Sequence, residues 1–109
     1  MGFIAVGEAR DVPPGHMRAV NVGGYGLLVV NLNGKFHAFD SLCPHKRVDL
    51  SQGTLEGNVL TCPAHDARFD VTSGMCVAGA KLGPFKVGVK SLTSYETRIE
   101  GTQVFVKVG

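Results

Sequence analysis

The sequence predicts a nearly all-β chain, an antiparallel β-sandwich or small barrel with an insertion at about 41–84. Three observations carry that reading. Fifteen glycines and five prolines are spread along 109 residues and cut the chain into short pieces. No stretch long enough for a helix keeps a 3.6-residue apolar period; the pieces alternate or form short apolar runs, as strands do. Asn33-Gly34 stands between two such runs. That dipeptide is a strong hairpin signal, because both central residues of a type I′ turn need positive φ.

Taken in order, Phe3 to Glu8 is the first expected strand, and Pro13-Pro14-Gly15 is a turn. His16 to Val22 alternates, with Met17, Ala19 and Asn21 on one side and Arg18, Val20 and Val22 on the other, and Gly23-Gly24 turns it. Tyr25 to Leu32 contains Leu27-Leu28-Val29-Val30, a run that suits a strand buried on both faces. Lys35 to Asp40 completes the hairpin. Residues 41–58 read as loop, punctuated by Gly53 and Gly57. Val59 to Thr61, Arg68 to Val71 and Met75 to Val77 are short strands, with Thr72-Ser73-Gly74 turning the last two. A Gly-rich stretch, 78–84, leads to Phe85 to Val89. Ser94 to Ile99 and Gln103 to Val108, joined by Glu100-Gly101-Thr102, form a closing hairpin.

At 109 residues the chain is expected to be one domain, 1–109, without repeats or linkers. Eleven Lys and Arg against nine Asp and Glu give +2. That balance, with no basic run, gives no argument for nucleic acid. No apolar run approaches the roughly 18 residues of a transmembrane helix. The N-terminus has no basic segment and reaches Glu8 too early for a signal peptide. A cytoplasmic monomer with no membrane contact is therefore expected.

The chemistry concentrates in Cys43-Pro44-His45 and Cys62-Pro63-Ala64-His65, separated by 16 residues. Two thiolates and two imidazoles offered from two tight loops make a metal site. A structural zinc ion accepts two Cys and two His. Zinc fingers, however, pair Cys with Cys and His with His. Here each loop is mixed, so each of two neighbouring metals can draw one residue from each loop. Histidine replaces cysteine on one iron of a [2Fe-2S] cluster in this way in Rieske centres.

Cys43-Pro44-His45 and Cys62-Pro63-Ala64-His65 resemble the Rieske motif. The flanks Leu50-Ser51-Gln52-Gly53 and Phe69-Asp70-Val71-Thr72-Ser73-Gly74 add to the likeness, which is close over 36–76. The resemblance implies a Rieske fold, with a two-loop cluster-binding subdomain at about 41–84 inserted in the β base. It also implies that Cys43 and Cys62 bind one iron and His45 and His65 the other. Imidazoles add no charge, so the oxidised cluster is neutral and the reduced one −1. Histidine ligation thereby raises the potential, to between about −150 and +300 mV. High-potential relatives carry two further cysteines and a Ser and a Tyr beside the cluster; those places hold Val48, Ala64, Ala67 and Phe69 here. Hydrogen bonds to cluster sulfur tune the potential, and their loss predicts the low end of the range.

The family usually has Gly where Asp66 stands, and a proline between Met75 and Lys81 where this chain has none. Cys76 is expected to be a buried inert thiol, and His16 and His37 to be strand or surface residues. Lys46, Arg47 and Arg68 form either a solvated rim or a docking patch for an acidic partner.

Four histidines in total, two of them already used, leave no 2-His-1-carboxylate iron site. No Ser/His/Asp set, phosphate loop or flavin motif is present. The expectation is a one-electron carrier and not a catalyst. Freestanding chains of this kind resemble the Rieske-type ferredoxins of bacterial aromatic-ring dioxygenase and monooxygenase systems. The resemblance implies an NAD(P)H-dependent flavin ferredoxin reductase as donor and, as acceptor, a terminal oxygenase of Rieske or di-iron type acting on aromatic compounds. A small subunit of an assimilatory nitrite reductase and a structural zinc or redox-sensing domain are the alternatives.

Overall fold

The computed structural model describes residues 2–42, 49–63, 67–78, 80–82, 85–87 and 91–108. Among these the strands are β1 (Gly2–Glu8), β2 (Met17–Val22), β3 (Tyr25–Leu32), β4 (Lys35–Asp40), β5 (Thr54–Glu56), β6 (Val59–Thr61) and β7 (Arg68–Asp70). They continue with β8 (Cys76–Ala78), β9 (Ala80–Leu82), β10 (Phe85–Val87), β11 (Ser94–Tyr95), β12 (Thr97–Glu100) and β13 (Gln103–Val108). Two single 3-10 turns, Ala9–Asp11 and Leu50–Gln52, complete the regular structure among the described residues.

The strands pair antiparallel in a central sheet β11-β4-β3-β2, a sheet β1-β13-β12, a sheet β5-β6-β7-β8 and the hairpin β9-β10. β3 explains the layering. Leu27, Leu28, Val29 and Val30 are each at most 2% exposed, and successive side chains point to opposite faces. Leu28 and Val30, with Phe39 of β4, pack on Leu60, Cys62, Ala67, Phe69 and Val71 of the β5–β8 sheet and its flanks. On the other face Val29 and Phe36 meet Val12 and Val104, while Leu27 and Ala38 meet Val106 and Val108. The central sheet is therefore covered on both sides. Full burial of each such aliphatic side chain stabilises by about 1.5–3 kcal/mol.

The turns follow the expected chemistry. Asn33 and Gly34 have φ of 54° and 90°, and Gly23 and Gly24 have 57° and 84°, so both hairpins of the central sheet turn through paired left-handed residues. Asn31 is the buried polar residue of β3. Its amide donates to Val12 O at 2.7 Å and accepts from Gly34 N at 2.7 Å.

Two expectations need correction. Ser94 to Ile99 is not one strand. Ser94 and Tyr95 pair with Phe39 and Ala38 of β4, whereas Thr97 to Glu100 pair with β13. The chain changes sheets at Glu96, whose carbonyl accepts from Lys107 N at 2.9 Å. Side-chain alternation continues through the switch, so pattern alone gives no sign of it. Nor is 41–58 all loop: it holds the Leu50–Gln52 turn and β5, which pairs with β6 across Gly57-Asn58. β5 has one apolar residue, Leu55, too few to register as a strand.

His37 lies on the β4 face turned towards the β5–β8 sheet. It lines an open cleft of about 610 Å³ with Leu32, Leu55, Asn58 and Thr72. Burial is the main cause that lowers its pKa from 6.5; Lys35 adds to it and Asp70 opposes. The unfolded chain takes up this proton near pH 6.5 and the folded chain resists it, so the stability is complete above 6.5 and declines as pH falls towards the lowered value. Urea midpoints measured from pH 7 down to 5.5 are expected to fall less in His37→Gln than in the parent. Equal slopes would refute this.

Candidate metal centre

Two stems converge at the end of the sheets where β4 and β6 finish. The first closes 43–48. Leu42 and Asp49 form an antiparallel bridge, and Leu50 N donates to Ser41 O at 2.8 Å. Below it, Ser41 N donates to Gly26 O at 3.1 Å and Asp40 N to Thr93 O at 3.0 Å. The Asp49 carboxylate then caps the 3-10 turn, accepting from Ser51 N at 2.9 Å and Ser51 Oγ at 2.7 Å. The second stem extends the β6–β7 pairing by one bond, from Cys62 N to Ala67 O at 2.7 Å.

Gly53 joins the two stems. A Cβ placed there would collide with Thr61 O and come within 3.2 Å of both Leu50 O and Pro63 Cδ. The backbone of the first loop's exit thus lies directly against the base of the second, and only glycine permits it. This is the physical content of the Leu50 to Gly53 flank.

The Phe69 to Gly74 flank is a second support. The Asp70 carboxylate accepts from Thr72 Oγ1 at 2.6 Å and from Thr72 N at 2.8 Å, and these bonds, the side-chain one first, hold its pKa below the usual range. Gly74 is buried at φ 82°, with the Phe39 ring and Leu92 O where a side chain would be.

Of the four expected ligands, Cys62 is among the described residues; Cys43, His45 and His65 lie outside them, as do Lys46, Arg47, Val48, Ala64, Asp66 and Pro84. Cys62 is fully buried, in one apolar cluster with Leu60, Ala67 and Phe69. This setting suits a sulfur without net charge, either a neutral thiol or a thiolate whose charge a metal offsets. Arg68 is exposed on β7. Cys76 is half-buried and packs on the same core, which corrects the expectation of full burial. Sequence reasoning also missed the hydrogen bond from Tyr95 to Asp40 at the foot of the first stem. Its partners are 55 residues apart, and no local pattern links them.

Comparison with known proteins agrees with this geometry. The Rieske [2Fe-2S] domain family matches residues 2–96. The chain is 39% identical over 92 residues to the ferredoxin CarAc of Metapseudomonas resinovorans, covering 81% of this chain and 86% of that one. It is 33% identical over 105 residues to the ferredoxin component of the alkene monooxygenase system of Xanthobacter autotrophicus, covering 95% and 80%. Among solved structures, a complex of reduced oxygenase and oxidized ferredoxin in carbazole 1,9a-dioxygenase contains a chain similar to this one. The match has a TM-score of 0.77 and 34% identity, over 95% of this chain and 91% of that chain.

Proposed function

The chain belongs to the Rieske [2Fe-2S] domain family, and we propose that it carries single electrons from an NAD(P)H-dependent flavin reductase to a terminal oxygenase acting on aromatic compounds. Cys43 and Cys62 would hold one iron and His45 and His65 the other. When bound, the Rieske-type [2Fe-2S] cluster supplies a one-electron oxidation and reduction. The observation that carries the reading is the fully buried Cys62 on its closed stem, in a chain whose relatives are ferredoxin components of oxygenase systems. These relatives favour that role over the nitrite reductase alternative.

The chain's own residues supply position and surroundings. Ala67 and Gly53 fix the backbone on either side of Cys62 and Pro63. Leu60, Ala67 and Phe69 keep water from the thiolate side. Among the described residues no helix is long and apolar enough to cross a membrane; a cytoplasmic location and a monomeric state are part of the proposal. The solved oxygenase–ferredoxin complex supports a docked complex with an oxygenase for this chain as well.

The purified protein is expected to be red-brown, to show a rhombic EPR signal on reduction, and to take up one electron per chain from NADH through a flavin reductase. A colourless, zinc-containing chain would end this reading. Because neither Ala67 nor Phe69 offers a hydroxyl and both are fully buried, the midpoint should lie low in the Rieske range, below roughly +100 mV. Phe69→Tyr is expected to raise it, since a donor aimed at sulfur favours the reduced state. Protein-film voltammetry on parent and variant checks both statements.

A further inference from the structure

Tyr95 donates its hydroxyl to Asp40 Oδ1 at 2.5 Å. Asp40 is the last residue of β4 and stands three positions before Cys43, a span of at most about 11 Å of chain. Its backbone is held on both sides, by the pairing with Leu27 and by the bond to Thr93 O at 3.0 Å. Tyr95 ends a segment, Ser91 to Tyr95, that ties the halves of the molecule together. Ser91 Oγ accepts from Cys76 N at 3.2 Å, and Leu92 N donates to Gly74 O at 2.7 Å. The Leu92 side chain sits in the same core as Cys62. Asp40 and Tyr95 are both half-buried. A bond from a neutral donor to a carboxylate is short and strong, and it is the main reason that the Tyr95 hydroxyl is pushed up to about 12. A phenol is protonated at neutral pH even without this shift, so Tyr95 is a donor there.

We propose that Tyr95 is a positioning residue for electron transfer: its hydroxyl fixes the Asp40 carboxylate and the strand end that enters the first ligand loop, and the pair holds the reduction potential down. This rests on the carrier reading. Asp40 and Tyr95 share the face of the central sheet that packs on Val106 and Val108, opposite the Cys62 side, so the carboxylate acts on the centre from the end of the strand that leads to Cys43. A fixed negative charge there disfavours the reduced state, and partial burial preserves its field. Without the phenol the carboxylate turns towards water and its field is screened.

The test uses holo-protein, with midpoints from protein-film voltammetry and melting temperatures in parallel. Asp40→Asn keeps an oxygen for Tyr95 to bond and removes the charge. Tyr95→Phe keeps the charge and removes the bond. Each is expected to favour reduction by about threefold, ~28 mV at 59 mV per tenfold for one electron. The double variant should shift no further than Asp40→Asn alone, because both act through one carboxylate. A purely structural strut would lower the melting temperature and leave the midpoints unmoved. An unmoved midpoint in Asp40→Asn overturns the proposal, and so do additive shifts. Failure of Asp40→Asn to load a cluster overturns it too, since the pair would then act on assembly. Absence of the rhombic EPR signal in the parent would instead defeat the carrier reading.

Discussion

Gly53→Ala is expected to destabilise the protein by about 1–3 kcal/mol and to strip most of the visible absorbance from the purified chain. Gly53 has φ −81°, which any residue adopts, so the cost is steric and not conformational. The added methyl would meet Thr61 O, with Leu50 O and Pro63 Cδ at 3.2 Å. None of these is the far end of a flexible side chain. Thr61 pairs with Thr54 and Arg68, and Cys62 follows it. Relief of the collision must push the two stems apart, which displaces the backbone of Cys62. A melting temperature lower by roughly 5–15 °C is the corresponding shift. A variant with parental melting temperature and absorbance per chain would show that the stems tolerate separation.

Cys62→Ala is expected to abolish the cluster altogether, giving a colourless chain without iron, sulfide or a reduced-state EPR signal. Cys62 is fully buried and its N–H is committed to Ala67 O, so the backbone should keep its course while the thiolate is lost. Cys76→Ala is the control. Cys76 packs on the same core from β8, yet it lies outside both ligand loops, and its replacement should leave colour and iron content unchanged. Iron retained in Cys62→Ala, or lost in Cys76→Ala, would redraw the ligand set. Iron and sulfide assays on the two purified variants decide it.

Most of the β framework is legible in the sequence because its signals are local. The runs Tyr25–Leu32 and Lys35–Asp40 carry their own apolar residues and share a turn that only positive-φ residues make, so their bounds emerge residue for residue. The mixed Cys/His loops are legible for a similar reason: ligand type and spacing within each loop already define the chemistry. What escapes is non-local. The sheet change at Glu96 depends on which neighbours are present on either side, and β5 owes its existence to β6 rather than to its own composition. The contact between Gly53 and Thr61, and the Tyr95–Asp40 bond, join segments whose separate patterns do not record the meeting.

The two-sided burial of β3 has a consequence for register. A strand with one wet face resists slipping by a residue, because the slip carries its apolar set into solvent. Leu27-Leu28-Val29-Val30 is aliphatic on both faces, so a slip exchanges one apolar set for another and the hydrophobic pattern offers little penalty. The alignment that delivers Asp40 and Ser41 to the foot of the first stem must therefore be specified elsewhere. The turns at Gly23-Gly24 and Asn33-Gly34 do so at either end of the strand, each accepting one loop length. Asn31 does so from within, because only one alignment lets its amide reach Val12 O and Gly34 N together.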